Sequence, residues 1–167
     1  PNLVSRFSPA EAQEPQTLER TLAQFNRYYG AHNMELTAPY AGMPEAVERL
    51  RAAGVRTAVL SNKAHALAGP VVEDYYPGQF PWVQGALPGL PTKPDPTLLH
   101  RLMEQMGASP EDTLFVGDSD VDIRTGHNAG LKACGVTWGF RSRENLVNAG
   151  ADFLADTPAE LEKLLMN

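Results

Sequence analysis

Cysteine is nearly absent from this chain, since Cys134 is the only one among its 167 residues. A single cysteine excludes an internal disulfide framework and a metal site built from several thiolates. Its surroundings, Lys-Ala-Cys-Gly-Val, are typical of a small buried residue on a strand. The histidines are scattered without the spacing of a metal site, and they stand at positions 32, 65, 100 and 127.

The chain also lacks an excess of positive charge and any long apolar run. Its formal net charge is −6 and its pI is about 5.2, so a nucleic-acid partner is not expected. No apolar stretch approaches the ~20 residues that a membrane-spanning helix needs, and no secretory signal is recognisable. We therefore predict a cytoplasmic protein, monomeric or homodimeric, whose partners are small molecules rather than membranes.

An initiating methionine is missing as well, because the chain starts with Pro1 and soon enters a helical pattern. We expect this proline to lie inside a longer polypeptide. The 167 residues, of which 43% are hydrophobic and 20% charged, suffice for one domain with a core and a small appendage.

The appendage is predicted at residues 1–38. Between Pro15 and His32 apolar residues recur every third or fourth position, which predicts an amphipathic helix with one face to bury. Those residues are Leu18, Leu22, Phe25, Tyr28 and Tyr29. The turn residues at 37–42 follow no period and predict a hinge, after which residues 39–167 form the main domain.

Strands and helices alternate through the main domain. Strands are predicted at 56–60, 113–116, 132–136 and 152–154, and helices at 43–53, 96–107, 121–129, 143–149 and 158–166, with a further helix capped by Ser61 and Asn62 and running to about residue 75. The Pro- and Gly-rich stretch 77–96 is predicted to be an ordered loop with at most a short strand. This alternation predicts an α/β fold with a doubly wound parallel sheet.

Alternating carboxylates follow the predicted strand at 113–116. The apolar run from Leu114 ends in Gly117, and Asp118, Asp120 and Asp122 come directly after it. Ligands of open α/β sheets bind at the carboxyl ends of strands. Clustered carboxylates repel one another, and a bound Mg²⁺ is the simplest cation that offsets this repulsion.

The acidic stretch has two other interpretations, a calcium-binding loop and a helix N-cap. A calcium loop of the EF-hand type is excluded, because Ile123 stands where that loop needs glycine and Ala129 where it needs its bidentate glutamate. A helix N-cap with favourable charges at the positive end of the helix remains open, above all for Ser119 and Asp120.

Ser61, Asn62 and Lys93 complete the set of candidate residues. The first two follow a predicted strand, and Lys93 lies between Thr92 and Pro94 in the long loop. A hydroxyl at a helix N-terminus, a fixed ammonium and a carboxylate pair suited to Mg²⁺ are the parts of a phosphoryl-transfer site. Taken singly, each has a structural alternative, since Ser61 could be an N-cap and Lys93 a solvated surface lysine.

In this order and spacing the elements resemble the haloacid dehalogenase superfamily of phosphatases. Leu60-Ser61-Asn62-Lys63 is similar to its second motif, Lys93-Pro94-Asp95-Pro96 to its third and Gly117-Asp118-Ser119-Asp120-Val121-Asp122 to its fourth. Residues 128–130, 136–139 and 150–152 are similar to the phosphoglycolate phosphatase branch. The resemblance implies a Rossmann-like core at residues 39–167 that lacks its first strand, with a partial α-helical cap at residues 1–38.

The resemblance also implies a role for each candidate. Ser61 would donate its hydroxyl, and Asn62 its backbone N–H, to oxygens of the transferring phosphoryl group. Lys93 would neutralise that group and restrain the carboxylate nucleophile. Asp118 would bind Mg²⁺ directly, and Asp122 would hold the metal or its waters.

The family's first motif, an Asp-x-Asp-x-Thr type sequence, has no counterpart between Pro1 and Tyr40. In the family pattern its first aspartate forms an aspartyl-phosphate, and the second protonates the leaving oxygen and then activates water. We therefore expect that these residues alone do not turn over substrate. We also expect them to bind Mg²⁺ at millimolar concentration or more weakly.

Three functions are compatible with this sequence. The leading one is a Mg²⁺-dependent phosphomonoester hydrolase acting on a small phosphorylated metabolite, foremost 2-phosphoglycolate. The alternatives are a phosphomutase on the same scaffold and a non-catalytic remnant, the latter because the nucleophile is missing. Arg141 and Arg143 are expected to precede a helix rather than to bind substrate.

Overall fold

The computed structural model describes residue 9 and residues 14–166. The chain divides into two compact units, Pro1–Ala38 and Pro39–Asn167. In the first unit the described residues form helix α1, Pro15–His32, as predicted. Pro15 stands in its first turn, where the missing N–H leaves no intrahelical bond unmade. The rings of Phe25 and Tyr29 stack with centroids 5.4 Å apart.

The second unit alternates helices and parallel strands. Its elements are α2 Met43–Ala52, β1 Ala58–Ala64, α3 His65–Tyr75, β2 Trp82–Ala86, α4 Thr97–Met106, β3 Leu114–Gly117, α5 Asp120–Asn128, β4 Lys132–Val136, α6 Arg143–Asn148, β5 Phe153–Ala155 and α7 Pro158–Met166. Gly107 ends α4 in the left-handed conformation, with φ of 59°, which only glycine adopts at little cost. The predicted bounds of β4 and α7 coincide with those observed.

One prediction about the local structure was wrong. Ser61 and Asn62 do not cap a helix, because β1 continues through both residues to Ala64, which pairs with Ala86 of β2. The strand pairing outweighs the capping preference of the serine. Gly85 makes this possible, since a Cβ at that position would lie 2.6 Å from the carbonyl oxygen of Lys63.

All strand pairs are parallel, which confirms the predicted sheet type. β1 pairs with β2, while β3 pairs with β4 and β4 with β5. The described strands therefore form two sheets rather than one, because no described strand joins β1 to β3. Leu60 of β1 and Phe115 of β3 both pack against the core cluster that contains Leu99 and Met103 of α4, so this helix lies in the core that the two sheets share.

Helices cover both faces of the three-stranded sheet, as a doubly wound fold requires. Ala133 of β4 packs with Ile123 of α5 and Leu146 of α6. The next residue, Cys134, packs on the other side with Leu161 of α7, because successive strand residues point to opposite faces. Cys134 is fully buried, as predicted, and burial raises the pKa of its thiol to about 11.

Among the described residues, no helix combines the length and the apolar character needed for crossing a membrane.

Candidate active site

Three of the predicted site residues meet in one cavity at the carboxyl ends of the strands. The cavity has a volume of about 290 Å³, and Lys93, Asp118 and Asp122 form its charged lining. Apolar side chains such as Val116 and Trp138 form other parts of its wall. The site therefore lies where the topology of a parallel sheet predicts it.

Asp122 is buried, with 6% of its surface exposed, and both of its carboxylate oxygens are hydrogen-bonded. Lys93 Nζ donates to Oδ1 at 2.7 Å. Oδ2 accepts from the backbone N–H of Ser119 at 3.1 Å and from its hydroxyl at 2.6 Å. Ser119 in turn accepts from the Asp122 N–H, which completes a capping box at the start of α5.

Gly117 explains how Asp122 folds back over the end of β3. A Cβ at position 117 would lie 2.1 Å from the Asp122 Cβ, far inside any allowed contact. Only a glycine at this position therefore leaves room for the carboxylate to reach Lys93. The abrupt change from an apolar run to glycine in the sequence has this steric cause.

Lys93 is held by its backbone as well as by its charge. The Asn62 side chain accepts from the Lys93 N–H at 2.9 Å and donates to the Lys93 carbonyl at 3.2 Å. Asn128 donates to the carbonyl of Pro94 at 2.9 Å. These two asparagines fix the Lys-Pro segment on both sides, so the ammonium group is aimed at the cavity.

The sequence interpretation missed this use of the asparagines. It gave Asn62 a role through its backbone N–H, whereas the structure shows a side-chain contact to Lys93. For Asn128 the sequence indicates only a similarity to the phosphoglycolate phosphatase branch. No local pattern identifies such contacts, since 31 residues separate Asn62 from Lys93 and 34 separate Asn128 from Pro94.

Asp118 is the third charged residue of the cavity. Its Oδ2 accepts from the backbone N–H of Phe140 at 3.0 Å, and its carbonyl oxygen accepts from the Arg141 N–H at 3.2 Å. Among the described residues no donor reaches the other carboxylate oxygen, Oδ1. Asp118 therefore offers an oxygen that can bind a cation.

Ser61 lies in the middle of β1 and outside the lining of the cavity. Its hydroxyl oxygen accepts from the Lys63 N–H at 3.1 Å, which leaves the hydroxyl proton able to donate. The structure therefore brings Lys93, Asp118 and Asp122 together and links Asn62 to them through Lys93. It does not place Ser61 in the same cavity.

Asp120, Arg141 and Arg143 take structural roles. Asp120 accepts from Arg124 at 2.5 Å in the first turn of α5, where a negative charge is favourable. Arg143 starts α6, as predicted, and pairs with Asp156 at 2.5 Å. The Arg141 guanidinium is 3.7 Å from Asp120, so none of these three charges enters the cavity lining.

The donor set suits Mg²⁺, although it is sparse. Carboxylate oxygens are hard ligands of the kind that Mg²⁺ prefers, and Mg²⁺ sites in enzymes commonly use one or two carboxylates with waters. Among the described residues there is no group of three or more carboxylate, histidine or cysteine side chains that could hold a metal. Asp118 could bind the ion through Oδ1, and Asp122, whose oxygens are already shared with Lys93 and Ser119, could hold its waters.

Comparison with known protein families decides the identity of this fold. The profile of the family described as haloacid dehalogenase-like hydrolase matches residues 3–136. The chain belongs to the haloacid dehalogenase-like hydrolase family. This confirms the resemblance inferred from the three motifs, and it extends the match into the appendage before residue 39.

Curated relatives in this hydrolase family carry two different names. A phosphoglycolate phosphatase from Pseudomonas putida is 34% identical over 142 residues, which are 84% of this chain and 49% of that protein. One from Aquifex aeolicus is 31% identical over 150 residues, covering 89% and 69%. A pyrophosphatase PpaX from Bacillus mycoides is 30% identical over 166 residues, covering 99% and 76%. The chain spans about half the length of the Pseudomonas relatives it matches.

Solved structures of the family superimpose on the chain. One from Lactobacillus delbrueckii subsp. bulgaricus, proposed to be a phosphoglycolate phosphatase, has a TM-score of 0.87 and 32% identity, covering 95% of this chain and 66% of that one. One from Thermotoga maritima, proposed to be a β-phosphoglucomutase, has a TM-score of 0.70 and 21% identity, covering 91% and 68%. The second likeness shows the fold alone.

Proposed function

We propose that this protein is a Mg²⁺-dependent phosphomonoester hydrolase acting on a small phosphorylated metabolite. The observation that supports it most is the Lys93–Asp122 ion pair of 2.7 Å in the same cavity as Asp118. An ammonium and two carboxylates at the end of parallel strands are suited to a phosphoryl group and a divalent cation. Membership of a hydrolase family agrees with this chemistry.

The charge of the cavity explains why a cation is needed. Lys93, Asp118 and Asp122 carry a formal net charge of −1, which repels a phosphate dianion. A bound Mg²⁺ reverses that sign and withdraws charge from the phosphoryl oxygens. Substrate binding should therefore depend on the cation even before any bond is broken.

Each candidate site residue then has a defined role in the proposed reaction. Asp118 would hold the cation, and Asp122, which accepts from Lys93, orients that lysine and would hold waters of the cation. Lys93 contributes a positive charge that stabilises the negative charge on the transferring group. Asn62 keeps the Lys93 backbone in place, and the Ser61 hydroxyl, which retains a proton to donate, is proposed to bind a phosphoryl oxygen.

The carboxylate nucleophile has to come from a residue outside this set. The first aspartate of the sequence is Asp74, so no Asp-x-Asp pattern precedes β1. We propose that a strand carrying the nucleophile lies between β1 and β3, whose facing edges pair with no described strand. Residues 39–167 are then the core without its first strand, and residues 1–38 are part of a helical cap.

The proposed substrate is 2-phosphoglycolate, because two relatives at 34% and 31% identity are named phosphoglycolate phosphatases. Pyrophosphate is the second candidate, since a relative named pyrophosphatase PpaX matches 99% of the chain. A phosphomutase has less support, as its structural neighbour shares only 21% identity. A non-catalytic remnant is supported only by the missing nucleophile.

Phosphate release by the full-length protein tests the proposal. We expect 2-phosphoglycolate to be hydrolysed faster than pyrophosphate in the presence of Mg²⁺, and hydrolysis to stop when EDTA removes the metal. Faster release from pyrophosphate would support the second substrate. No Mg²⁺-dependent release from either compound would contradict the proposed activity and favour a non-catalytic protein.

A further inference from the structure

The turn after β4 has no task in the mechanism described so far. Residues 137–141 are Thr-Trp-Gly-Phe-Arg, and residues 136–139 are similar to the phosphoglycolate phosphatase branch of the family. In the structure this turn lies directly against Asp118. Two of its backbone N–H groups point at that residue and at no other.

The two contacts hold Asp118 at both its side chain and its backbone. The Phe140 N–H donates to the carboxylate oxygen Oδ2 at 3.0 Å. The Arg141 N–H donates to the Asp118 carbonyl at 3.2 Å. Backbone donors are fixed by the fold and cannot rotate away as side-chain donors can. The rotamer of Asp118 is therefore set from outside its own strand.

Gly139 lets the turn come this close. A Cβ at position 139 would lie 2.2 Å from the Cβ of Asp118 and 2.3 Å from its Oδ2. The Cβ of Asp118 is attached to the main chain and cannot move without it. A side chain at position 139 would therefore displace either the turn or the carboxylate.

The Phe140 side chain is not what holds this turn in place. It is 87% exposed, so it contributes little packing to its own loop. Its N–H is nevertheless in hydrogen-bond contact with a cavity residue. A position with an exposed side chain and an engaged backbone indicates that the backbone donor is the useful part of the residue.

We propose that residues 139–141 are a backbone clamp that positions Asp118 for cation binding. The clamp occupies Oδ2 and leaves Oδ1 to bind the metal. The proposal rests on the proposed function, because it presumes that Asp118 is a metal ligand. Partners that orient metal ligands typically change metal affinity by about 10–100-fold when removed. Gly139, Phe140 and Arg141 thus act through Asp118 and need not touch substrate.

A pair of matched glycine variants of the full-length protein tests the clamp. Gly139→Ala places a Cβ against Asp118. Gly135→Ala, on β4, places its Cβ 3.0 Å from Leu154 and 3.1 Å from Leu146, two side chains that do not line the cavity. Both variants are expected to lower the melting temperature. The Kd for Mn²⁺, measured by electron paramagnetic resonance, is expected to rise about tenfold or more for Gly139→Ala only.

The outcomes separate the clamp from the proposed function. If the wild type binds no Mn²⁺, the metal site of the proposed function is refuted, and the clamp with it. If the wild type binds Mn²⁺ and Gly139→Ala binds it equally well, only the clamp is refuted. A Kd that rises equally in both variants would show a general loss of stability and would also refute the clamp.

A measurement on the wild type keeps the proposal testable should Gly139→Ala fail to fold. Nuclear magnetic resonance can detect a coupling across the hydrogen bond between the Phe140 nitrogen and the Asp118 carboxyl carbon. We expect this coupling, and we expect the Phe140 amide signal to shift when Mg²⁺ is added. Absence of the coupling, or an amide signal that Mg²⁺ leaves unchanged, would overturn the clamp.

Discussion

Lys93 Nζ and Asp122 Oδ1 lie 2.7 Å apart although 29 residues separate them in the sequence. Only 14% of the lysine side chain and 8% of the aspartate side chain are exposed. The pair therefore joins the end of the long loop to the first turn of α5 in a region largely removed from water. Removing one partner of a buried charge pair destabilises the protein, because the other charge remains buried without compensation.

Removal of the Lys93 charge should be costly for both stability and catalysis. Lys93→Met leaves Asp122 buried without its cation, and a destabilisation of about 3–5 kcal/mol is expected. The loss of a charge at the phosphoryl group should lower kcat by at least about 100-fold. Urea unfolding and steady-state kinetics measure the two effects.

Lys132→Met is the matched control for this variant. Lys132 also pairs with an aspartate, Asp152, at 2.9 Å, but 69% of its side chain is exposed. Exposed pairs contribute about 0–1 kcal/mol, so stability and kcat should stay close to those of the wild type. Equal losses in both lysine variants would contradict a special role for Lys93.

The asparagine contacts to the Lys-Pro segment should affect rate more than affinity. Asn62→Ala removes two hydrogen bonds to the Lys93 backbone, and a drop in stability of about 1–2 kcal/mol is expected. Misplacement of the ammonium should lower kcat about tenfold with a smaller change in KM. Asn62→Asp keeps the acceptor for the Lys93 N–H and loses the donor to the Lys93 carbonyl. Its kcat should therefore lie between that of the wild type and that of Asn62→Ala.

Asn145→Ala serves as the control for Asn62→Ala. Asn145 accepts from Ser142 at the start of α6 and is not among the residues that line the cavity. This variant should lose some stability while kcat is retained. A kcat for Asn62→Ala equal to that of the wild type would show that Asn62 does not position Lys93.

A side chain at position 117 should disrupt the site directly. Gly117→Ala brings a Cβ within 2.1 Å of the Asp122 Cβ, and forced overpacking of this kind costs about 1–3 kcal/mol. Gly30→Ala, in α1, meets nothing within 4 Å, and the better helix propensity of alanine should stabilise it by up to about 1 kcal/mol. Thermal unfolding of both variants checks the opposite signs, and a neutral Gly117→Ala would argue against the observed packing.

Stability should fall in acid through Asp152. The pKa of its carboxyl is held well below its ordinary value by the Ala133 N–H, then by Lys132 and His127. Because this pKa is lower in the folded than in the unfolded protein, the ionised carboxylate stabilises the fold at pH values above the unfolded-state pKa of about 3.9. That stabilisation is lost as the pH falls below this value. Unfolding measured between pH 2 and 7 should show a smaller acid-induced loss for Asp152→Asn, and an unchanged pH profile would contradict the assignment.

The fold was largely predictable because its elements follow strong local rules. The apolar period of α4, the strand of β4 and the glycine that ends α4 each carry their own signal. The parallel sheet follows from the regular alternation of strands and helices. Short apolar runs bounded by turn residues, in alternation with helical periods, leave few other folds open.

The prediction at Ser61 and Asn62 was wrong because a long-range contact outweighs the local rule there. Local preference favours a cap there, whereas the pairing of Ala64 with Ala86 extends the strand. That pairing depends on Gly85, more than 20 positions away along the chain. A contact set by a distant glycine leaves no trace in the residues around Ser61.

The candidate site was predictable as a set of residue types but not as a geometry. The order of Lys93, Asp118 and Asp122 along the chain indicated phosphoryl chemistry. The asparagine that fixes Lys93 and the turn that holds Asp118 act through long-range backbone contacts. Such contacts have no sequence period, so only the folded chain reveals them.

A comparison of two neighbouring aspartates tests the proposed metal-dependent hydrolysis most directly. Asp118→Asn removes a charge from the cavity, whereas Asp120→Asn removes one that already pairs with Arg124. Mg²⁺-dependent phosphate release from 2-phosphoglycolate by the full-length protein should fall at least about 100-fold in the first variant. In the second it should stay within about threefold of the wild type. Full activity of Asp118→Asn, or activity of the wild type that does not depend on Mg²⁺, would contradict the proposed function.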